Sequence, residues 1–190
     1  VMKTEAGATK LQHIPNAVTR KQALAATGQV RLMETWRQHF DVRGLTVAQV
    51  LATRSDFQTR RHYLNMRACI EALLDCGVVP IVNENDTVVT EEIRFGDNDT
   101  LAALVANLID ADVLVLLTDQ QGLYREDPRH NPAAELVTVC DVHDPTLDAM
   151  AGEGGSLGRG GMVTKLRAAR LAARSGPETI IAPGRVADLL

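Results

Sequence analysis

Short apolar runs alternate with stretches of helical period along this chain, and that alternation leaves few architectures open. Residues 45–52 (Leu-Thr-Val-Ala-Gln-Val-Leu-Ala) read as a strand. Residues 64–76 place Leu64, Ala68, Ile70, Leu73 and Leu74 near one face of a helix, which Gly77 would cap. Residues 78–82 are a second strand and residues 101–109 a second helix. Residues 113–117 are continuously apolar, as expected of a central parallel strand covered on both faces. Residues 162–174 give a third helix ended by Gly176, and residues 178–182 a last strand. Residues 1–19 are polar and lack clear periodicity. The β-α-β-α-β order predicts an α/β fold with a mainly parallel sheet and right-handed crossovers. In such sheets ligands bind outside the carboxyl ends of the strands.

Two polar clusters fall at those ends. Asn83-Glu84-Asn85-Asp86 closes the second strand, and Gly96-Asp97-Asn98-Asp99-Thr100 leads into the second helix. Carboxylates are rarely buried unless paired or ligand-bound. An N-cap is the competing explanation, and either Asp97 or Asn98 could serve as one. One cap explains one polar residue, not three in a row with a second cluster upstream. Their position at the strand ends favours a polar ligand carrying positive charge, or a metal.

The composition removes several classes. A length of 190 residues suits a single domain with a buried core, and a hydrophobic fraction of 45% is ordinary for a globular protein. Aromatics make up only 3%, so Leu, Val, Ile and Ala must build that core. A net charge of -4 leaves no electrostatic footprint for nucleic acid. Cys69, Cys76 and Cys140 form no C-x-x-C pair, which argues against zinc or a disulfide framework and fits a reducing cytoplasm. No apolar run reaches membrane-spanning length, so no membrane partner is expected. His13, His39, His62, His130 and His143 lack metal-ligand spacing. Ser156 lies outside any Gly-x-Ser-x-Gly elbow, which makes a hydrolase a poor reading.

Residues 152–161 (Gly-Glu-Gly-Gly-Ser-Leu-Gly-Arg-Gly-Gly) run into the helix that holds Lys165. Glycines let backbone N–H groups approach phosphates, and a helix N-terminus adds free donors and a favourable dipole. A flexible surface loop is the alternative. The run is neither a Walker A sequence nor a Rossmann fingerprint. Thr118-Asp119 ends the apolar strand and leads through Gln120-Gln121-Gly122-Leu123-Tyr124 to Asp127-Pro128-Arg129. That segment is either a turn or a loop against a nucleotide, with Tyr124 covering the base or packing. Arg60-Arg61-His62 lies before a helix, either solvated or part of a subunit contact.

Four stretches together resemble the bacterial glutamate 5-kinases of the amino acid kinase superfamily. They are residues 79–86 (Val-Pro-Ile-Val-Asn-Glu-Asn-Asp), Gly96-Asp97-Asn98-Asp99, residues 116–124 with Asp127-Pro128-Arg129, and Gly160-Gly161-Met162-Val163-Thr164-Lys165. The resemblance runs from about Ile14 onwards. It implies an α/β sandwich, an open, mainly parallel sheet with helices on both faces. It also implies ATP-dependent phosphorylation of the γ-carboxylate of L-glutamate, the first step of proline biosynthesis, in the cytoplasm. Related kinases of acetylglutamate, aspartate, carbamate and UMP differ in the Asn-Glu-Asn-Asp block. Carried over by position, Asp86, Asn98 and Asn83 would bind glutamate. Thr118, Asp119 and the run Arg159, Gly160, Gly161, Met162, Val163, Thr164 and Lys165 would bind the nucleotide. Lys165 would stabilise the transferring phosphoryl group, with Asp99 orienting the catalytic lysines. Mg²⁺ would ride mainly on the ATP, with no dedicated protein metal site. A homo-oligomer and feedback inhibition by proline are family expectations.

The chain departs from the family pattern at its start. The family opens with a Lys-x-Gly-[Ser/Thr]-Ser strand and later a Ser-Gly-Ala loop, and neither is found; Lys3-Thr4-Glu5-Ala6-Gly7 has the wrong spacing. The expectation is therefore one amino acid kinase domain over residues 1–190, truncated at its N-terminus, with exposed apolar sheet edges and no C-terminal PUA domain. Val163 stands where the family has Ser or Glu. Two other readings stay open: an inactive nucleotide- or amino-acid-binding module, and a kinase of another small acid on the same fold.

Overall fold

The computed structural model describes residues 11–89, 97–152 and 161–186. The chain forms two compact units, residues 1–95 and 96–190.

The first unit opens with helix α1, Ala17–Asp41. Asn16 caps it, its Oδ1 accepting from the N–H groups of Val18 at 2.9 Å and Thr19 at 3.0 Å. Strong helix formers and no proline follow, and Arg37 pairs with Glu34 and Asp41 one turn away on either side. Strand β1, Thr46–Ala52, comes next, then the short helix α2, Arg54–Gln58. Helix α3, Arg60–Asp75, begins at the basic run rather than after it. Strand β2, Val78–Glu84, pairs in parallel with β1 from Thr46↔Val78 to Ala52↔Glu84. Helix α1 packs on β1, and α3 on β2.

The inward face of α3 differs from the expected one. Tyr63, Met66, Arg67, Ile70 and Leu73 are shielded, whereas Leu64 and Ala68 are exposed. The shielded set follows the i, i+3, i+4, i+7 stripe of a 3.6-residue helix, and Leu64 and Ala68 lie off it. Ile70 is fully buried. Gly77 ends α3 at φ +69°, with its N–H donating to the Leu74 carbonyl at 2.9 Å. A Cβ there would meet nothing within 4 Å, so the left-handed backbone alone sets the cost of a side chain. Gly77→Ala is expected to lower stability by about 1 kcal/mol, read as a shift in the urea midpoint.

The second unit contains helix α4, Asn98–Leu108, strand β3, Val113–Thr118, helix α5, Thr146–Ala151, helix α6, Met162–Ala172, and strand β4, Glu178–Pro183. Strands β3 and β4 run parallel, from Val113↔Glu178 to Thr118↔Pro183. Ala103 and Ala106 of α4, Ala168 and Ala172 of α6, and Leu114 and Leu116 of β3 form one core. Small residues on both helices let them approach closely, and Asn107 Nδ2 ties α4 to the Leu171 carbonyl at 2.9 Å. Helix α4 ends in a Schellman turn: Asp110 sits at φ +50°, and the Ala111 N–H reaches the Ala106 carbonyl at 2.9 Å.

Within the second unit, the described residues cover strand β3 on one face. Leu114 and Leu116 are buried under the helices, while Val113 and Leu117 on the opposite face are about half exposed. Among the described residues β4 is its one neighbouring strand. Alternation of side chains across a strand gives this result even where every residue is apolar.

Candidate functional site

In the second unit the candidate side chains Asp99, Thr164 and Lys165 gather at the N-termini of α4 and α6. Asp97 is the cap of α4: its Oδ1 accepts the Thr100 N–H at 2.6 Å and its Oδ2 the Thr100 hydroxyl at 3.1 Å. Asn98 is therefore the first helical residue, exposed and not engaged as the cap. Asp99 follows in the first turn, where the helix dipole favours a carboxylate.

Lys165 donates from Nζ to both Asp99 oxygens, at 2.9 and 3.1 Å. Thr164 Oγ1 donates to Asp99 Oδ2 at 2.8 Å and lies 2.8 Å from the Gly161 carbonyl. The Lys165 side chain is 10% exposed and that of Asp99 16%. A lysine is rarely this buried unless paired. Its place in the first turn of α6 is also the wrong end of a helix for a cation. The Asp99 carboxylate offsets both penalties.

Gly161 caps α6 in an extended conformation and contributes no side-chain bond. The first-turn N–H groups of Met162 and Val163 have no carbonyl within the helix to meet. Donors of this kind, with Lys165 behind them, are what an anion at a helix start requires. The Met162 side chain packs against the cluster of Leu123, Leu147 and Leu166, which fixes the start of the helix. Arg159 and Gly160 lie outside the described residues.

Thr118 ends β3, with its hydroxyl 3.3 Å from Asp119 Oδ1 and accepting the Gln120 N–H at 3.4 Å. Asp119 is exposed. The following loop is braced by an antiparallel backbone bridge between Tyr124 and Leu136, and Tyr124 is half-buried. Farther along, the Arg129 guanidinium grips both Asp127 oxygens, and those hydrogen bonds lower the Asp127 carboxyl to about 2.

In the first unit, Asn83, Glu84, Asn85 and Asp86 line a groove of about 580 Å³ together with Gln29 and Leu51. Asn83 Oδ1 accepts the Glu84 N–H at 2.9 Å, and Asn83 Nδ2 donates to Gln29 Oε1 at 3.0 Å. Glu84 is buried, and Asp86 half-buried. The Asn85 N–H extends the strand pairing to the Ala52 carbonyl at 2.9 Å, which holds the block at the strand end. Gln29 is a groove residue that pattern reading missed. Its signal was Asn16 ahead of a long proline-free stretch of helix formers.

Asp99 has both oxygens engaged by Lys165 and Thr164, so it is not free to ligate a cation. Mg²⁺ takes few protein ligands and relies on phosphates and water. The donor set thus fits a metal carried on the nucleotide.

Parallel strand pairs flanked by helices, with a buried lysine–carboxylate pair at a glycine-led helix end, place this chain among α/β proteins. The sequence matches the amino acid kinase family over residues 3–183, through both units, and the chain belongs to that family. It is 58% identical, over 93% of its length, to a glutamate 5-kinase of Pseudomonas putida strain F1. It shows the same identity over the same share of its length to a glutamate 5-kinase of Chromohalobacter salexigens. The chain spans about half the length of these curated relatives, 48% and 47%. Among solved structures it resembles E. coli aspartokinase III in complex with aspartate and ADP. There the TM-score is 0.62 at 18% identity, covering 93% of this chain and 41% of that one. Isopentenyl phosphate kinase follows with a TM-score of 0.53 at 19% identity, covering 82% and 58%. At these identities the structural likeness concerns the fold. Among the described residues no helix is long and apolar enough to cross a membrane.

Proposed function

We propose that this chain carries catalytic machinery for ATP-dependent phosphorylation of the γ-carboxylate of L-glutamate, the reaction that opens proline biosynthesis. The observation that carries the reading is the buried Lys165–Asp99 pair, clamped by Thr164 at the start of α6. Similarity to glutamate 5-kinases at 58% identity supports the choice of glutamate. In the reaction a γ-carboxylate oxygen of glutamate bonds to the γ-phosphorus of ATP, and the bond from that phosphorus to the bridging oxygen breaks to leave ADP. When bound with the nucleotide, Mg²⁺ would supply charge neutralisation for the phosphates.

Phosphoryl transfer asks a protein mainly for positioning and charge stabilisation. Lys165 brings its ammonium to the transferring group, where negative charge is spread over the equatorial oxygens. Asp99 and Thr164 hold that ammonium in place. The N–H groups at the start of α6, with Arg159, Gly160 and Gly161, cradle the phosphates, and Thr118 and Asp119 contact the nucleoside. In the first unit Asp86 pairs with the α-ammonium of glutamate, and Asn83 donates to its carboxylates. Residues 1–190 act as part of one amino acid kinase domain, in a cytoplasmic homo-oligomer inhibited by proline at the glutamate site.

Asp86→Ala is expected to raise the KM for glutamate by about thirtyfold or more with kcat little changed, since losing one partner of a desolvated charge pair costs about 2 kcal/mol or more. A KM within threefold of the parent would remove Asp86 from the substrate site. The reading as a whole is tested by glutamate-dependent ADP release with Mg·ATP, with aspartate, N-acetylglutamate and UMP as controls. Turnover specific to glutamate supports it. Turnover with another acid replaces the substrate. Binding of Mg·ATP and glutamate without turnover points to a non-catalytic module.

A further inference from the structure

We infer that Gln29 is a positioning residue for the glutamate site, acting through Asn83; the inference rests on the proposed function. The two amides form a directed chain within the first unit. The Glu84 backbone N–H can only donate, so the Asn83 atom it meets at 2.9 Å is the carboxamide oxygen. That fixes which way Asn83 faces: its Nδ2 points at Gln29. Gln29 must then present Oε1 to it, at 3.0 Å. Neither amide can flip without setting donor against donor or acceptor against acceptor. One hydrogen of Asn83 Nδ2 is spent on Gln29, and the second remains for an acceptor in the groove.

The far end of the chain has a cost. Gln29 Nε2 is buried and without a hydrogen-bond partner among the described residues. A buried donor left unmatched is unfavourable, and each such group in a folded protein calls for an explanation. A residue kept only for helix stability would not need an amide at this position: Leu or Met would fill the space without burying an unmatched donor. The amide is accounted for by its other atom, which orients Asn83. The strand end supplies Asn83 and Asp86, and α1 supplies the group that aims Asn83. Gln29 does not itself touch the reacting atoms.

The test uses the whole chain with uniform ¹⁵N labelling and three proteins: the parent, Gln29→Met and Gln29→Glu. Methionine keeps the length and helix preference but removes the acceptor, whereas glutamate keeps an oxygen for Asn83. Two quantities are read: the Asn83 side-chain amide resonances and the Kd for L-glutamate from their titration. Gln29→Met should shift the Asn83 Nδ2 resonances and weaken glutamate binding roughly fivefold to tenfold, while leaving the Kd for Mg·ATP within twofold. Gln29→Glu, whose carboxylate accepts more strongly than an amide, should move the Asn83 Nδ2 protons downfield, opposite to Gln29→Met, which a purely structural role would not require. Glutamate binding by the parent with an unchanged Kd in Gln29→Met overturns the inference alone. No glutamate binding by the parent overturns the proposed function, and the inference with it. Should Gln29→Met fail to fold, Gln29→Glu still decides, since Asn83 Nδ2 protons that stay in place or move upfield in that folded variant overturn the relay.

Discussion

Replacing Lys165 with Ala should lower kcat for glutamate-dependent ADP release by about 10²- to 10³-fold, the usual effect of removing one preorganised charge-stabilising donor. The KM for glutamate should stay within threefold, because the ammonium acts where charge develops rather than where the substrate is held. The geometry makes this a sharp expectation. Lys165 is 8% exposed and its Nζ is held by both oxygens of Asp99, so water cannot simply take its place. Single-turnover kinetics separates the chemical step from product release. An unchanged kcat would remove Lys165 from the chemistry and leave the pair as a structural tie between α4 and α6.

The second large effect is on stability. Asp99→Ala leaves a buried ammonium without its counter-charge and Thr164 without its acceptor. Breaking one side of a buried pair costs about 3 kcal/mol or more, whereas a surface pair contributes about 1 kcal/mol or less. Urea unfolding of the parent and Asp99→Ala chains measures the difference. Asp99→Asn is the informative companion, since it can still accept from Thr164 but cannot balance the charge of Lys165. A loss near the full value in both variants would assign the cost to charge. A loss confined to Asp99→Ala would assign it to hydrogen bonding. A loss below about 1 kcal/mol in Asp99→Ala would mean that solvent reaches the ammonium.

The same pair shows why a stability screen and an activity screen must be read together here. Asp99→Ala is expected to lower kcat as well, because Lys165 loses the group that aims it. Glutamate-dependent turnover should therefore fall in both Lys165→Ala and Asp99→Ala. Only Asp99→Ala leaves a buried cation unpaired. Thr164→Val removes a single hydroxyl from the network and should cost less stability than either, with Lys165 still paired.

The sequence by itself determined the parts of this protein that depend on near neighbours along the chain. The four strands begin within one residue of their expected starts, because apolar runs flanked by turn residues bury only as strands at that length. Gly77 could be named as the end of α3, since a left-handed backbone there needs no partner beyond the helix itself. The motif block at Asn83–Asp86 and the approach to Lys165 stand out as candidates for the same reason: composition and order carry them. What spacing left open, the tertiary structure decided. Whether Asp97 or Asn98 caps α4 depends on which residue has the extended backbone, and both side chains are equally able. The inward stripe of α3 is chosen by the sheet it packs on, which placed Tyr63 and Met66 inside and Leu64 outside. Helix α1 was missed because its polar sequence gives little apolar contrast, and with it went Gln29, 54 residues from the Asn83 it holds. Lys165 and Asp99 lie 66 residues apart, and their ion pair exists only because two alanine-faced helices pack closely enough to bring both N-termini together. Local sterics and periodicity act within a few residues; a buried charge finds its partner only when the core has closed around both.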